Sequence, residues 1–254
     1  MEFAGKRVIV TGASSGIGRA AAQQFLNKGA RVALIGRRRQ ALEEAAAGFF
    51  KRGSALPIQA DLSDERQTES AIAASTESLE GLDVLVNAAG ILKSGDIEKT
   101  SLGLWDETMN INLRSVFHIM KLAVPHLEQS RGNIVNVSSV TGLRSFPGVL
   151  AYCVSKAATD QLTRCSALEL APKGIRVNGV NPGVVTTELH RAGGMNQEAY
   201  DKFLEHSKST HPLGRVGQPA EIADLICFLA SDKAGWITGA TMSIDGGRAQ
   251  TCAR

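Results

Sequence analysis

The sequence predicts a doubly wound α/β fold, a seven-stranded parallel sheet with helices on both faces. Short β-branched runs alternate with longer helical patterns along the 254 residues. The runs are apolar at nearly every position rather than at every second one, as in strands buried on both faces. The first run ends in a glycine-rich turn that opens a helix. Strand, helix, strand repeated without interruption puts helices over both sides of a parallel sheet.

Taken in order, the predicted strands are "RVIV" at 7–10, "RVALI" at 31–35, "ALPIQA" at 55–60, "DVLVN" at 83–87, "NIVNVS" at 133–138, "IRVNGV" at 175–180 and "TMSID" at 241–245. Helices are predicted between them over 16–28, 39–51, 64–79, 104–128, 151–171 and 218–230. Ser63 is the expected N-cap of a helix that opens with Asp64 and Glu65, and Pro219 suits the first turn of a helix preceded by Gln218. No Pro, Gly or Ser linker, internal repeat or low-complexity tract divides the chain, so residues 1–254 read as a single domain. Residues 184–217 stand apart, with Gly193-Gly194 and weak helical periodicity. An insertion after the sixth strand lies where ligands bind in open α/β sheets, which makes it the expected substrate lid.

Charge and composition exclude several classes. The formal charge of +3 is small and its contributors are interspersed, so neither a nucleic-acid nor a membrane partner is indicated. Cys153, Cys165, Cys227 and Cys252 have no CxxC or zinc spacing, and reduced thiols are expected. The histidines His118, His126, His190, His206 and His211 lack ligand spacing with an acidic partner, so no metal site is expected. The N-terminus has no apolar signal stretch and no segment approaches a membrane span. A soluble, cytoplasmic protein follows as the expectation.

The first strand-to-helix turn, "TGASSGIG", places Gly12, Gly16 and Gly18 beside Ser14, Ser15 and Ile17. Glycines there let the backbone turn tightly and approach a ligand, while the helix start offers amide donors to an anion. A pyrophosphate site is the consequence. A P-loop is disfavoured, because no Lys-Ser or Lys-Thr follows the last glycine. The second strand ends "LIGRRRQ", with Gly36 where an NAD site carries an acid and with Arg37 and Arg38 next to it. A guanidinium grips a phosphate bidentately, so NADP(H) is favoured over NAD(H), which remains the alternative. The absent acid also disfavours an S-adenosylmethionine methyltransferase.

Residues four apart share a helix face, so Lys156 can stand beside Tyr152 in "YCVSK" and favour its phenolate. Ser139 ends a strand at the carboxyl edge of the sheet, within reach of a substrate oxygen while Tyr152 handles the proton.

With "ADL" at 60–62, "NAAG" at 87–90, "NINL" at 110–113, "VSS" at 137–139, "NPGVVTT" at 181–187 and "DGG" at 245–247, these motifs span essentially the whole chain. In order and spacing the sequence resembles the short-chain dehydrogenase/reductase family in its single-domain form. The resemblance implies a Rossmann fold and an oxidoreductase acting on a small-molecule carbonyl or alcohol. It implies Asn112, Ser139, Tyr152 and Lys156 as the catalytic set, with Asn112 holding a water in a proton relay. For the cofactor it implies Gly12, Ser14, Ser15, Gly16, Ile17 and Gly18 along the diphosphate, Arg37 and Arg38 at the ribose phosphate, and Asp61 and Leu62 at the adenine. Asn87, Ala88 and Gly90 should border the ribose, Pro182, Gly183, Val185 and Thr187 the nicotinamide, and Tyr152 and Lys156 its ribose. A homotetramer is implied through the Tyr152 helix, whose Ala157, Ala158 and Ser166 suggest close packing, with a dimer as the fallback.

Two departures from the family pattern matter: Ala88 replaces the family's second asparagine, a tolerated variant that leaves the backbone role open, and Ser15 stands where many NADP-dependent relatives have a basic residue, so the NADP(H) assignment rests on Arg37 and the absent acid. The substrate pocket is expected from Lys93 to Asp96, Val140 to Val149 and the 184–211 segment, with Arg144 either meeting an acidic substrate or simply solvated. From a different class, a nucleotide-binding scaffold without catalysis is disfavoured by the proton-relay set, which a scaffold does not need.

Overall fold

The computed structural model describes residues 1–47 and 54–251. Seven parallel strands form one sheet: β1 (Arg7–Thr11), β2 (Arg31–Gly36), β3 (Ala55–Gln59), β4 (Val84–Asn87), β5 (Asn133–Val137), β6 (Arg176–Pro182) and β7 (Thr241–Ile244). Their spatial order is β3-β2-β1-β4-β5-β6-β7, so the winding reverses between β1 and β4. Ligands settle outside the strand ends at such a reversal.

The apolar strands bury both faces because each alternates its side chains between two separate clusters. Val8 and Val10 of β1, Val32 and Leu34 of β2, and Val84 and Val86 of β4 pack on one face against Phe25 of α1 (Gly16–Asn27) and Ile222 and Ile226 of α9 (Pro219–Ala230). Ile9, Ile35 and Leu85 pack on the other face against Ile72 of α3 (Glu65–Leu79) and Ile119 and Leu127 of α5 (Ser115–Ser130). Each such fully buried aliphatic side chain contributes about 1.5–3 kcal/mol relative to exposure.

The remaining helices are α2 (Arg39–Ala45), α4 (Leu102–Met109), α6 (Leu150–Leu170), α7 (Leu189–Ala192) and α8 (Gln197–Thr210). Several expectations need correction. Asp64, not Ser63, caps α3, accepting from the Gln67 amide at 3.0 Å, while the Ser63 amide and hydroxyl both turn back to Asp61. The long helix predicted over 104–128 starts two residues earlier, behind the Ser101 cap, and is interrupted by a π-helical turn over Asn110–Arg114. The helix predicted over 39–51 ends at Ala45, with Ala46 as its C-cap, while residues 48–51 of that prediction, and Cys252, lie outside the described residues. The 184–217 segment is more regular than its weak periodicity suggested, because the Asn196 side chain caps the 14-residue α8. No helix among the described residues is long and apolar enough to cross a membrane.

Candidate active site

A cavity of about 980 Å³ opens along the carboxyl ends of the strands, from the β1–α1 turn to α8. Gly12, Ser14, Ser15, Gly16, Ile17, Gly18, Arg37, Arg38, Asp61, Leu62, Ala88 and Gly90 line one end. Gly12 has φ +67, and a Cβ there would stand 2.7 Å from the Ala88 carbonyl oxygen. At Gly18 a Cβ would come within 2.5 Å of the Gly12 carbonyl oxygen, so the helix start can only pack this closely as glycine. Ser15 caps α1 without a side-chain hydrogen bond, which leaves the first-turn amides facing the cavity. This backbone cradle at a helix N-terminus fits the pyrophosphate of a dinucleotide.

Around that cradle, Thr11 holds the exit of β4. Its hydroxyl accepts from the Ala88 and Ala89 amides at 3.1 and 3.2 Å. Asn87 stands behind the wall rather than in it, fully buried, with its Nδ2 donating to Asn136 Oδ1 at 2.9 Å. Asn136 in turn donates to Thr163 of α6 at 2.9 Å, so β4, β5 and α6 are tied by one polar chain. Asp61 serves both as turn residue and as cavity wall: the backbone amide of Ser63, above all, holds its carboxyl below the usual range, and Arg37 adds to this. Arg38 reaches the Ser14 carbonyl at 3.4 Å.

At the other end Ser139, Tyr152 and Lys156 line the same cavity, with Pro182, Gly183, Val185 and Thr187 nearby. Tyr152 and Lys156 sit one turn apart on the inner face of α6, and this face is polar along its length. The Ser155, Thr159 and Thr163 hydroxyls donate back to the carbonyls of Tyr152, Ser155 and Thr159, so a polar helix face is buried without unsatisfied hydroxyls. Lys156 Nζ donates to the Val137 carbonyl at 2.8 Å and lies 5.7 Å from the centre of the Tyr152 ring. Ser139 Oγ accepts from the Thr141 amide at 3.2 Å.

The expected lowering of the Tyr152 pKa by Lys156 does not emerge from this arrangement. Burial pushes the phenol up to about 12, and the neighbouring Ser139 hydroxyl is what works against the rise. Burial likewise pushes the Lys156 ammonium down to about 8. Desolvation outweighs mutual influence here because both groups are only 5% exposed.

Asn112 belongs to the π-helical turn and joins two segments. Its Oδ1 accepts from the Ile91 amide at 2.8 Å, while its Nδ2 donates to the Ile91 carbonyl at 2.9 Å and to Ser155 Oγ at 3.0 Å. A Cβ at Gly90 would lie 3.3 Å from Asn112 Oδ1 and 3.6 Å from Lys156 Nζ. Glycine therefore leaves a methyl-sized space between those two polar groups.

Sequence reasoning missed the layer behind Ser139. Asn181 Nδ2 donates to the Ser139 carbonyl and to both carboxylate oxygens of Asp160, all within 3.1 Å. Burial raises the Asp160 carboxyl, with Ser138 and Asn181 opposing. His211 was also missed as a tie between segments. Its Nε2 accepts from the Val184 amide at 3.1 Å and its Nδ1 donates to the Ser207 carbonyl at 2.6 Å, which fixes α8 to the end of β6. The Tyr200 hydroxyl adds a second tie, donating to the Thr187 carbonyl at 2.9 Å. Arg144 lies outside the cavity wall, with Nε on the Ala249 carbonyl at 2.6 Å, whereas Arg248, which sequence reading passed over, lies in it. No group of three metal-ligating side chains occurs among the described residues.

A family model described as enoyl-(acyl carrier protein) reductase matches residues 12–249. The meso-2,3-butanediol dehydrogenase of Serratia marcescens is 38% identical over 247 residues, covering 97% of this chain and 96% of that one. The chain belongs to the short-chain dehydrogenase/reductase family. Another member, the 3-oxoacyl-(acyl-carrier-protein) reductase of Thermotoga maritima, is 37% identical over 253 residues, 97% of this chain and 99% of that one. A short-chain dehydrogenase/reductase of unknown function from Caenorhabditis elegans, solved with cofactor, superposes with a TM-score of 0.93 at 37% identity, covering 100% of this chain and 98% of that one. As a family member the protein is an oxidoreductase of alcohol or ketone substrates that binds a nicotinamide cofactor, NAD(H) or NADP(H).

Proposed function

We propose that the protein is an NADPH-dependent ketone reductase, working between NADP(H) and a carbonyl or secondary-alcohol substrate. The observation that carries this reading is the burial of Tyr152 and Ser139 in the wall of the cavity that also holds the glycine cradle. A bound reduced nicotinamide supplies the hydride for the carbonyl carbon. Ser139 orients the substrate oxygen and Tyr152 protonates it as general acid, a role that suits a phenol kept in its protonated form. Lys156 stands behind Tyr152, anchored on Val137, and Asn112 faces it across the space left open at Gly90. That space suits a water joining Lys156 to Asn112 in a proton relay.

The NADP(H) preference is supported by Gly36, which offers no acid to a ribose hydroxyl, and by Arg37 and Arg38, which have no ion-pair partner among the described residues. Within this reading the 184–217 segment is the lid of a single Rossmann-type domain, and Val185 and Thr187 meet the nicotinamide end. The assembly is a cytoplasmic homotetramer. An exposed apolar strip supports it, where Phe117 of α5 and Leu162 of α6 flank a groove and Ala157 faces outward; Ser166 points inward instead. Sedimentation analysis checks the assembly.

Titration of the protein with NADPH and NADH, followed by reduced-nicotinamide absorbance against a panel of ketones, diketones and acetoacetyl thioesters, tests the reading. Selective NADPH binding with consumption on a carbonyl upholds it. Selective NADH binding reverts the assignment to an NAD-linked alcohol dehydrogenase, and binding without turnover favours a scaffold.

A further inference from the structure

The charged residues of the cavity wall divide by what each one meets. Arg37 and Arg38 flank Gly36 at the nucleotide end, and Lys156 is anchored on Val137 behind Tyr152. Arg191 is neutralised by Glu188 and bonded to Gln197. Among the wall carboxylates, Asp61 is engaged by Ser63 and Glu188 by Arg191, while Glu107 is exposed at the rim shared with the groove flanked by Phe117 and Leu162.

Two cations remain, Lys93 and Arg248. Both are half-buried, both line the cavity, and neither has a carboxylate within ion-pairing distance among the described residues. They flank the same loop, the one that runs from Ser139 to Tyr152. Lys93 belongs to a segment that pairs with it, the Gly95 amide donating to the Gly148 carbonyl at 2.8 Å. Arg248 lies against it from the opposite segment, with its guanidinium 5.2 Å from the centre of the Phe146 ring. Nη1 of Arg248 donates to the Thr210 carbonyl at 3.1 Å, while Nε and Nη2 have no acceptor among the described residues. The Nε–Nη2 edge of a guanidinium is the fork that holds a carboxylate bidentately, and the Thr210 bond together with the Phe146 ring holds the group in place. A half-buried cation without a counter-charge carries a desolvation cost that the attraction of an anionic ligand can offset. The same cavity also carries the apolar residues Phe146, Val149, Met195 and Phe203, which suit a hydrocarbon body.

We infer that the substrate is an oxo acid or its hydroxy-acid counterpart, with its carboxylate held by Arg248 and Lys93 and its reacting oxygen at Ser139 and Tyr152. This rests on the ketone-reductase reading above and narrows it to one substrate class. Arg248 and Lys93 are specificity-determining residues in this scheme and take no part in proton transfer.

The test compares acetoacetate, 4-oxopentanoate and 5-oxohexanoate with their methyl esters, under saturating cofactor, in the wild type, R248Q, R248K and K93M. Acids should be preferred, and R248Q and K93M should each raise the acid KM on the order of tenfold. The esters should change less than about twofold, R248K should recover part of the loss, and added salt should raise only the acid KM. Esters turned over as well as acids, or variants that weaken both series equally, would overturn the inference. Calorimetric binding of the three acids and their esters to Y152F separates the two readings. Should every compound fail to turn over, the reductase reading fails for them, while acid-selective binding abolished by R248Q upholds the carboxylate site at Arg248 and Lys93, and equal or absent binding of acids and esters overturns it.

Discussion

The two ends of the cavity are built from different material. At the nucleotide end the wall is mostly backbone: Gly12, Gly16, Ala88 and Gly90, and the first-turn amides of α1. At the other end the wall is mostly side chains, among them Ser139, Tyr152, Lys156 and Arg248, with a buried polar layer of Asn181, Asp160, Asn136 and Thr163 behind it. At Gly12 the wall fails when a Cβ is added, because it would meet the Ala88 and Ala89 backbone, where there is no side chain to move aside. A side-chain wall fails in its chemistry first, because a functional atom can be removed while the backbone that positions it stays. Binding and turnover should therefore separate by region when each is mutated.

The sharpest separation is Tyr152→Phe. It removes the acidic hydroxyl from a buried ring and should cut turnover roughly a hundredfold to ten-thousandfold, with dinucleotide affinity within about twofold of wild type. Steady-state rates beside a fluorescence titration measure both, and a parallel loss of affinity would break the distinction. Gly12→Ala should do the converse. A side chain at φ +67 with its Cβ 2.7 Å from the Ala88 carbonyl oxygen must displace the β4 exit, and the left-handed conformation alone costs about 1–2 kcal/mol. Dinucleotide affinity should fall at least about tenfold, by the same titration.

Arg37→Asp asks how much of the nucleotide end is side chain after all. It should weaken NADPH by about tenfold more than NADH, the difference one charge-assisted contact supplies. Unchanged selectivity would leave that end to the backbone alone. The smallest effect concerns stability. The Lys156 pKa, pushed by burial to about 8 from 10.5, means that the unfolded chain holds more protons than the folded one between those two values. This group's contribution to stability therefore rises with pH across that window and is lost as pH falls towards 8. Lys156→Met should raise Tm at pH 7 by about 2–4 °C per kcal/mol relieved and flatten the change between pH 7 and 10, while turnover collapses. A Tm that falls, or an unaltered pH dependence, would show that the Val137 contact outweighs the burial cost.

The nucleotide end was legible in the sequence because its physics is local. Gly12, Gly16 and Gly18 are specified by a turn of seven residues, and Gly36 with Arg37 by the end of one strand. The Tyr152–Lys156 pair was legible through helical periodicity, although the direction of the Tyr152 shift was not. Burial depth decides that sign, and burial is a property of everything packed around α6. Arg248, His211, Asn181 and Asp160 left no local signature, since each works through at least one partner more than 20 residues away. Arg144 shows the converse: promising by its place in the 140–149 loop, it is turned aside onto the Ala249 carbonyl.

By itself the sequence determined the parallel α/β architecture, the glycine turn after β1 and the grouping of Tyr152 with Lys156 on one helix face, because alternation, glycine spacing and the four-residue helical repeat act over short stretches of chain. Only the tertiary structure decided which arginine lines the cavity, which carboxylates neutralise which cations, and how far burial displaces the titration of Tyr152 and Lys156. Those outcomes depend on solvent exclusion and on distances between segments remote in the chain, and neither is encoded at any single position.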